Sequence, residues 1–183
     1  QLLMESGNWS FIHQRPYGIM ANPLDTPKSI FVSTSKTDPL REDYHFVLKE
    51  DQKEFQLGID LLNRLVDQPV FLGLDKSRPG YFESIEGVQH YSFEGPHPAG
   101  NLSLHIQKLS PLNMNDRVWT VNPEDVVNIG RFISSGVFSP QRTIAVSGNA
   151  VTNPKYFKTK IGAELAPILN EVGIKFDNVR IIN

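Results

Sequence analysis

The chain has 183 residues, 39% hydrophobic and 21% charged, with a formal charge of −2 and no cysteine. That balance describes a globular protein with a core rather than a disordered one, and its slight acidity offers no basic stripe for nucleic acid. Disulfides, thiolate catalysis and iron–sulfur ligation by this chain are excluded for want of cysteine, and no apolar run approaches the ~18 residues that would span a bilayer.

In chain order, Ser29–Ser33 (SIFVS) is β-branched and apolar and reads as a buried strand. Asp51–Asp67 follows with apolar residues at Phe55, Ile59, Leu62, Leu65 and Val66, the spacing of an amphipathic helix. Val70–Leu74, Val88–Phe93 and Val118–Val121 are three further predicted strands. After the last of these the helix punctuation is explicit. Asn122 is placed to cap, Pro123 suits the first turn, Glu124 and Asp125 complement the positive dipole end, and Gly136 stops the helix. Strands alternating with helices predict an α/β fold with a parallel sheet covered on its faces. From Arg142 the pattern changes: strands at Thr143–Ser147 and Tyr156–Ile161, a short helix from Ala163 to Val172 with Pro167 near its first turn, and a strand at Val179–Ile182. This predicts a small α+β unit, with a boundary at Phe138–Pro140 giving domains 1–138 and 139–183. The start at Gln1 without Met and the apolar ending read as an internal segment of a longer protein.

The stretch FEGPHPAGNLSLH, Phe93 to His105, concentrates glycine, proline and histidine after an apolar run. His97 and His105 are eight residues apart, which on a helix is ~12 Å along the axis. A single zinc with bonds of ~2 Å cannot take both, and no HExxH pairing exists, so no metal site is expected. Gly95 and Gly100 before a helix suggest an anion cradle, but Pro96 and Pro98 remove donors, and the spacing fits no phosphate-binding motif. The favoured reading is a stiff strand-to-helix turn. His13, His45 and His90 are scattered, Ser103, Ser134 and Ser147 lack a nucleophile context, and Glu42, Asp43, Glu50, Asp51 and Glu54 read as a solvated loop and helix start. No catalytic set emerges.

Three blocks carry a resemblance: GPHPAGNLSLHI, VWTVNPEDVVNIGRFISSG and RTIAVSGNAVTNPKYFKTKIGAEL. With LLMESGNWSFIHQRPY and SIFVSTSKTDPL they resemble, in order and through nearly the whole chain, the A subunit of the bacterial sodium-translocating NADH:quinone reductase. The full subunit in that family is longer at both ends. The resemblance implies a Rossmann-like parallel sheet domain, similar to the complex I flavin-subunit family, followed by a truncated β-grasp (soluble-ligand-binding) unit.

Function is implied in the same way. Where flavin-binding relatives carry a glycine-rich loop, this chain has Ser10–Gly18 with a single glycine and bulky side chains, so it is expected to hold no flavin and no other cofactor. Flavins and iron–sulfur centres would reside in partner subunits. The aromatic and basic stretch Trp9, Phe11, His13, Arg15, Pro16 and Tyr17 offers flat rings and N–H donors for a ubiquinone; for each residue taken singly, a place in the core or an ion pair to Arg15 is the competing reading. Gly95, His97, Gly100 and His105 are expected as surrounding donors of that pocket or as a contact with another subunit. The implied role is a peripheral subunit on the cytoplasmic face of the bacterial inner membrane, beside a membrane subunit. It would contribute to quinone binding and assembly of a sodium-pumping NADH:ubiquinone oxidoreductase. A purely structural docking subunit is the alternative.

Overall fold

The computed structural model describes every residue except Lys36, Pro79, Phe176 and Asn183. The chain divides into two compact units, one of Gln1–Asp38 with Asp43–Ser139, the other of Pro39–Glu42 with Pro140–Asn183.

In the first unit a short helix α1 (Leu2–Glu5) and a 3-10 turn (Asn8–Phe11) lead into the hairpin β1 (Ile12–Arg15) and β2 (Ile19–Met20). There follow β3 (Ser29–Ser33), α2 (Tyr44–Val47), α3 (Gln52–Asn63), β4 (Val70–Gly73), a 3-10 turn (Tyr81–Ser84), β5 (Val88–Tyr91), α4 (Leu102–Leu109), β6 (Val118–Val121) and α5 (Pro123–Ser135). The six strands form one sheet in the order β2-β1-β6-β3-β4-β5. β6, β3, β4 and β5 are parallel, and β1 runs antiparallel to β6, with Ile12 opposite Val121 and Arg15 opposite Val118. The mixed α/β architecture and the predicted strands at Ser29, Val70, Val88 and Val118 are present, β5 ending at Tyr91.

The pleat sorts side chains onto two faces. Ile12, Ile30, Val32, Val70, Leu72, Trp119 and Val121 pack in one core with Phe55, Ile59 and Leu62 of α3 and Val126, Val127 and Ile129 of α5. Phe31 and Val118 point the other way and are covered by Ile106, Leu102 and Leu109. α3 and α5 cross in backbone contact: a Cβ on Gly58 would lie 2.2 Å from the Val126 carbonyl oxygen, and one on Gly130 1.8 Å from that of Glu54. The punctuation of α5 is as read from sequence, with Asn122 Oδ1 accepting the Glu124 N–H at 3.0 Å and Gly136 left-handed at φ 72°.

The second unit pairs β7 (Gln141–Val146) with β8 (Lys155–Lys160) antiparallel, Gln141 opposite Lys160 and Val146 opposite Lys155. α6 (Ala166–Val172) follows and carries the fully buried Val172. The predicted helix start at Ala163 is moved by a turn with Gly162 at φ 85°. The expected strand at Val179–Ile182 is corrected: these residues have no strand pairing among the described residues. An apolar β-branched run becomes a strand only against a partner edge, and periodicity alone does not supply one. No helix among the described residues is long and apolar enough to cross a membrane.

Candidate functional site

Two regions contain the residues singled out in the sequence. The first is β1 with its flanks. Ser10–Gly18, the stretch equivalent to the flavin loop, consists of the end of the 3-10 turn, the strand β1 and the turn Pro16–Gly18; Ile12 and Gln14 face the α3/α5 core, and His13 and Arg15 face the opposite side. Phe11 is a core residue, and Trp9 is partly buried and packs against the same core. Trp9 Nε1 donates to the Ala21 carbonyl at 2.7 Å and its ring meets Trp119 edge-on at 5.3 Å; Phe11 is 4% exposed and stacks on Phe138 at 5.7 Å. Because β1 is antiparallel to β6, Trp9 and Phe11 lie toward the carboxyl edge of the parallel strands, and Arg15, Pro16 and Tyr17 lie at the amino edge. The six residues therefore do not share one wall.

Arg15 is the chemically unusual member. It is only partly exposed, its Nε is buried without a partner, and its side chain has no hydrogen bond or ion pair among the described residues. The ion pair to an acid that sequence reading offered as an alternative is absent there. Arg131, by contrast, reaches Asp51 at 2.6 Å. A cation partly withdrawn from water normally carries an anion or carbonyl with it. Around Arg15 the hairpin is open, with His13 and Pro16 exposed, Tyr17 72% exposed, and Ile19 and Met20 on the outer strand both more than half exposed.

The second region is the turn after β5. It lies at the carboxyl edge of the parallel strands, where open α/β sheets place ligands and contacts. Gly95 adopts φ 138°, and Asn101 caps α4 by accepting the Ser103 N–H at 2.9 Å. The stiff strand-to-helix turn is thus what the sequence builds. His105 is 1% exposed and lies flat against Phe93 at 4.8 Å. Its Nε2 donates to the Ala99 carbonyl at 2.7 Å, leaving Nδ1 to accept the Tyr91 hydroxyl at 3.1 Å. Burial pulls the His105 imidazole below its ordinary value, against the Ala99 bond that raises it; burial also pushes the Tyr91 hydroxyl upward. His97 is half exposed, with Nδ1 3.3 Å from Thr37 Oγ1 and 3.6 Å from the Asp38 carboxylate, and the Gly100 N–H donates to the same Thr37 oxygen at 2.9 Å.

The strand order keeps this turn apart from Trp9–Tyr17, since β4, β3 and β6 separate β5 from β1, ~19 Å at ordinary strand spacing. His97 and His105 accordingly lack the adjacency that a supporting role toward that stretch requires. Thr37 and Asp38 were missed as site residues because their partners lie about sixty positions away in sequence. The β1 strand had a signal, the alternation Ile12/Gln14 closed by Pro16-Tyr17-Gly18. Other polar side-chain atoms buried without partners among the described residues are Asn8 Oδ1, both His45 ring nitrogens, the Tyr81 hydroxyl and Trp119 Nε1; none had a signal in the sequence. Among the described residues no group of three or more His, Cys, Asp or Glu could hold a metal.

Fold and site together define an α/β protein that offers a carboxyl-edge turn and an open edge hairpin. The chain belongs to the NqrA family, the A subunit of the Na(+)-translocating NADH-quinone reductase: residues 1–138 match the model described as NqrA second alpha/beta domain, and residues 143–183 match NQRA C-terminal domain. Relatives named as the A subunit of Na(+)-translocating NADH-quinone reductase include that of Alcanivorax borkumensis, 36% identical over 90% of this chain and 37% of its own length. Those of Pseudomonas aeruginosa (36% identical; 89% of this chain, 36% of the relative) and Neisseria meningitidis (32%; 96% and 39%) are similar. The chain thus spans somewhat over a third of the length of the curated relatives it matches. A solved NAD+-reducing NiFe-hydrogenase, in its H2-reduced state, aligns with TM-score 0.63 at 12% identity over 96% of this chain and 39% of the other. At that identity the likeness is one of fold.

Proposed function

We propose that this chain serves as part of the NqrA subunit of a sodium-pumping NADH:ubiquinone oxidoreductase, contributing quinone contacts and subunit contacts without a redox cofactor of its own. In this reading residues 1–138 are a Rossmann-like domain lacking the flavin glycine loop and 139–183 belong to a β-grasp domain. Flavins and iron–sulfur centres belong to partner subunits, and the chain is peripheral on the cytoplasmic face beside a membrane subunit. The absence of a flavin grip is supported by Ser10–Gly18, where strand pairing to β2 and β6 occupies the backbone groups that a phosphate would need.

The observation that carries the quinone assignment is Arg15, a partly buried guanidinium with no acceptor among the described residues, on the same strand face as His13 and next to the exposed ring of Tyr17. A quinone carbonyl is an acceptor that a guanidinium N–H can satisfy, and the exposed Tyr17, Ile19 and Met20 supply apolar surface for its ring and tail. Pro16 fixes the turn that sets these groups, and Trp9 and Phe11 support the strand from the core. The turn at Gly95, His97, Gly100 and His105 serves assembly.

The test is quinone kinetics of the assembled complex. Arg15→Ala removes a charge-assisted hydrogen bond worth about 1.5–3 kcal/mol, so the quinone KM is expected to rise by about tenfold or more with the complex intact. An unchanged KM refutes the assignment.

A further inference from the structure

We propose that His105 is a positioning residue which, together with Thr37, holds His97 as an outward Nε2–H donor for an oxygen acceptor on a neighbouring polypeptide. This rests on the reading of the turn as a contact between subunits.

The Ala99 carbonyl and the Gly100 N–H are the two ends of one peptide group. His105 Nε2 grips the oxygen at 2.7 Å from inside the fold, and Thr37 Oγ1 takes the N–H at 2.9 Å from the loop after β3. A peptide group is planar, so fixing both ends fixes the direction in which the chain arrives through His97 and Pro98. Having accepted that N–H, the Thr37 hydroxyl still has its own proton to give, and His97 Nδ1 lies 3.3 Å away. An imidazole that accepts at Nδ1 carries its proton on Nε2. One that is protonated to face Asp38, 3.6 Å from the same nitrogen, carries a proton on Nε2 as well. With Thr37 donating to Nδ1 of the neutral ring, both charge states present the same outward donor.

The rest of the turn has little else to offer. Pro96 and Pro98 have no N–H, and the N–H groups of Ala99, Gly100 and Asn101 are bound to Pro96, Thr37 and Pro98. The nearby charges Lys76 and Glu94 face each other at 4.0 Å. His97, 53% exposed by side chain, is what protrudes. Gly95–Pro98 are all exposed, so nothing encloses a small molecule, which wants most of its surface covered. A second polypeptide brings its own cover and can present a carboxylate or carbonyl to the imidazole.

Histidine 15N spectra of the full chain and recovery of the assembled complex test this. The expected spectrum shows His97 protonated at Nε2. His105→Phe keeps the ring against Phe93 and loses the donor, so the Gly100 amide should exchange at least tenfold faster and the His97 resonances should move toward those of a free imidazole. His105→Gln, whose amide can reach the Ala99 carbonyl, should restore both, and Thr37→Val should disturb His97 in the same direction. Complex recovery should fall severalfold with His97→Phe and hold with His97→Gln, which retains an N–H. A His97 protonated only at Nδ1, or an unaltered Gly100 amide in both His105→Phe and Thr37→Val, overturns the positioning role. Full recovery of the complex with His97→Phe, alongside the expected spectra, overturns the polypeptide acceptor and with it the reading of the turn as an assembly contact.

Discussion

Replacing Gly130 by alanine sets two effects of opposite sign against each other. On helix propensity alone the substitution stabilises α5 by about 1 kcal/mol. Against that, the new Cβ would stand 1.8 Å from the Glu54 carbonyl oxygen, 2.6 Å from its carbon and 3.0 Å from its Cα, all of them backbone atoms of α3 that cannot rotate away. Relief requires the two helices to part locally, and a gap of about 0.5–1 Å already forfeits a quarter to a half of the dispersion between facing atoms. Six buried apolar side chains line that side, Phe55, Ile59 and Leu62 from α3 and Val126, Val127 and Ile129 from α5. Taking about 2 kcal/mol for each buried side chain and a quarter of it lost gives about 3 kcal/mol. Net of propensity, Gly130→Ala should destabilise by about 2 kcal/mol. Urea unfolding of wild type and variant measures this as a lower midpoint at unchanged slope. Gly58→Ala, whose Cβ would meet Val126 at 2.2 Å, should behave likewise, and the double variant should cost less than the sum because one separation relieves both clashes. A Gly130→Ala protein as stable as wild type, or more so, would refute the argument from backbone contact.

Asn122→Ala should cost about 2 kcal/mol in the same unfolding assay, because it removes the cap on Glu124 and the amide that donates to the Tyr44 hydroxyl at 2.8 Å. Gly73→Ala would place a Cβ 2.7 Å from the Tyr91 hydroxyl and 2.9 Å from Ser33 Oγ; the tyrosine should be pushed off His105, seen as a change in the His105 imidazole resonances with the sheet otherwise retained. Burial keeps the His105 imidazole below its ordinary 6.5, so the unfolded chain takes up that proton first. Its contribution is therefore complete above pH 6.5 and lost progressively below it, and His105→Gln should flatten the decline in stability measured between pH 7 and pH 5.

What the sequence disclosed was local chemistry. Asn122, Pro123 and Gly136 announce both ends of α5 because a cap, a fixed φ and a left-handed stop each act within a few residues. SIFVS and VWTV are legible as buried parallel strands because both of their faces are covered. β1 escaped notice because its meaning lies in its pairing with Val118–Val121, over a hundred residues later. Val179–Ile182 deceived for the same reason, an apolar run read as a strand without a partner to pair with. At the site, the rigidity of the Gly95–Asn101 turn was readable from its prolines and glycines. The grip of Thr37 on Gly100 was not, since only folding brings the two together. The want of a partner for Arg15 among the described residues is likewise a property of three-dimensional surroundings, which neighbours in the chain do not reveal.

Where α3 and α5 touch through Gly58 and Gly130, no cushion of side chains lies between their backbones. Neither can tilt or slide without dragging the other, so this flank of the sheet behaves as a single stiff plate. Any accommodation to a visiting molecule or a neighbouring chain must then come from the segments that leave the strand ends and from the outlying hairpin, with the plate as their fixed anchorage.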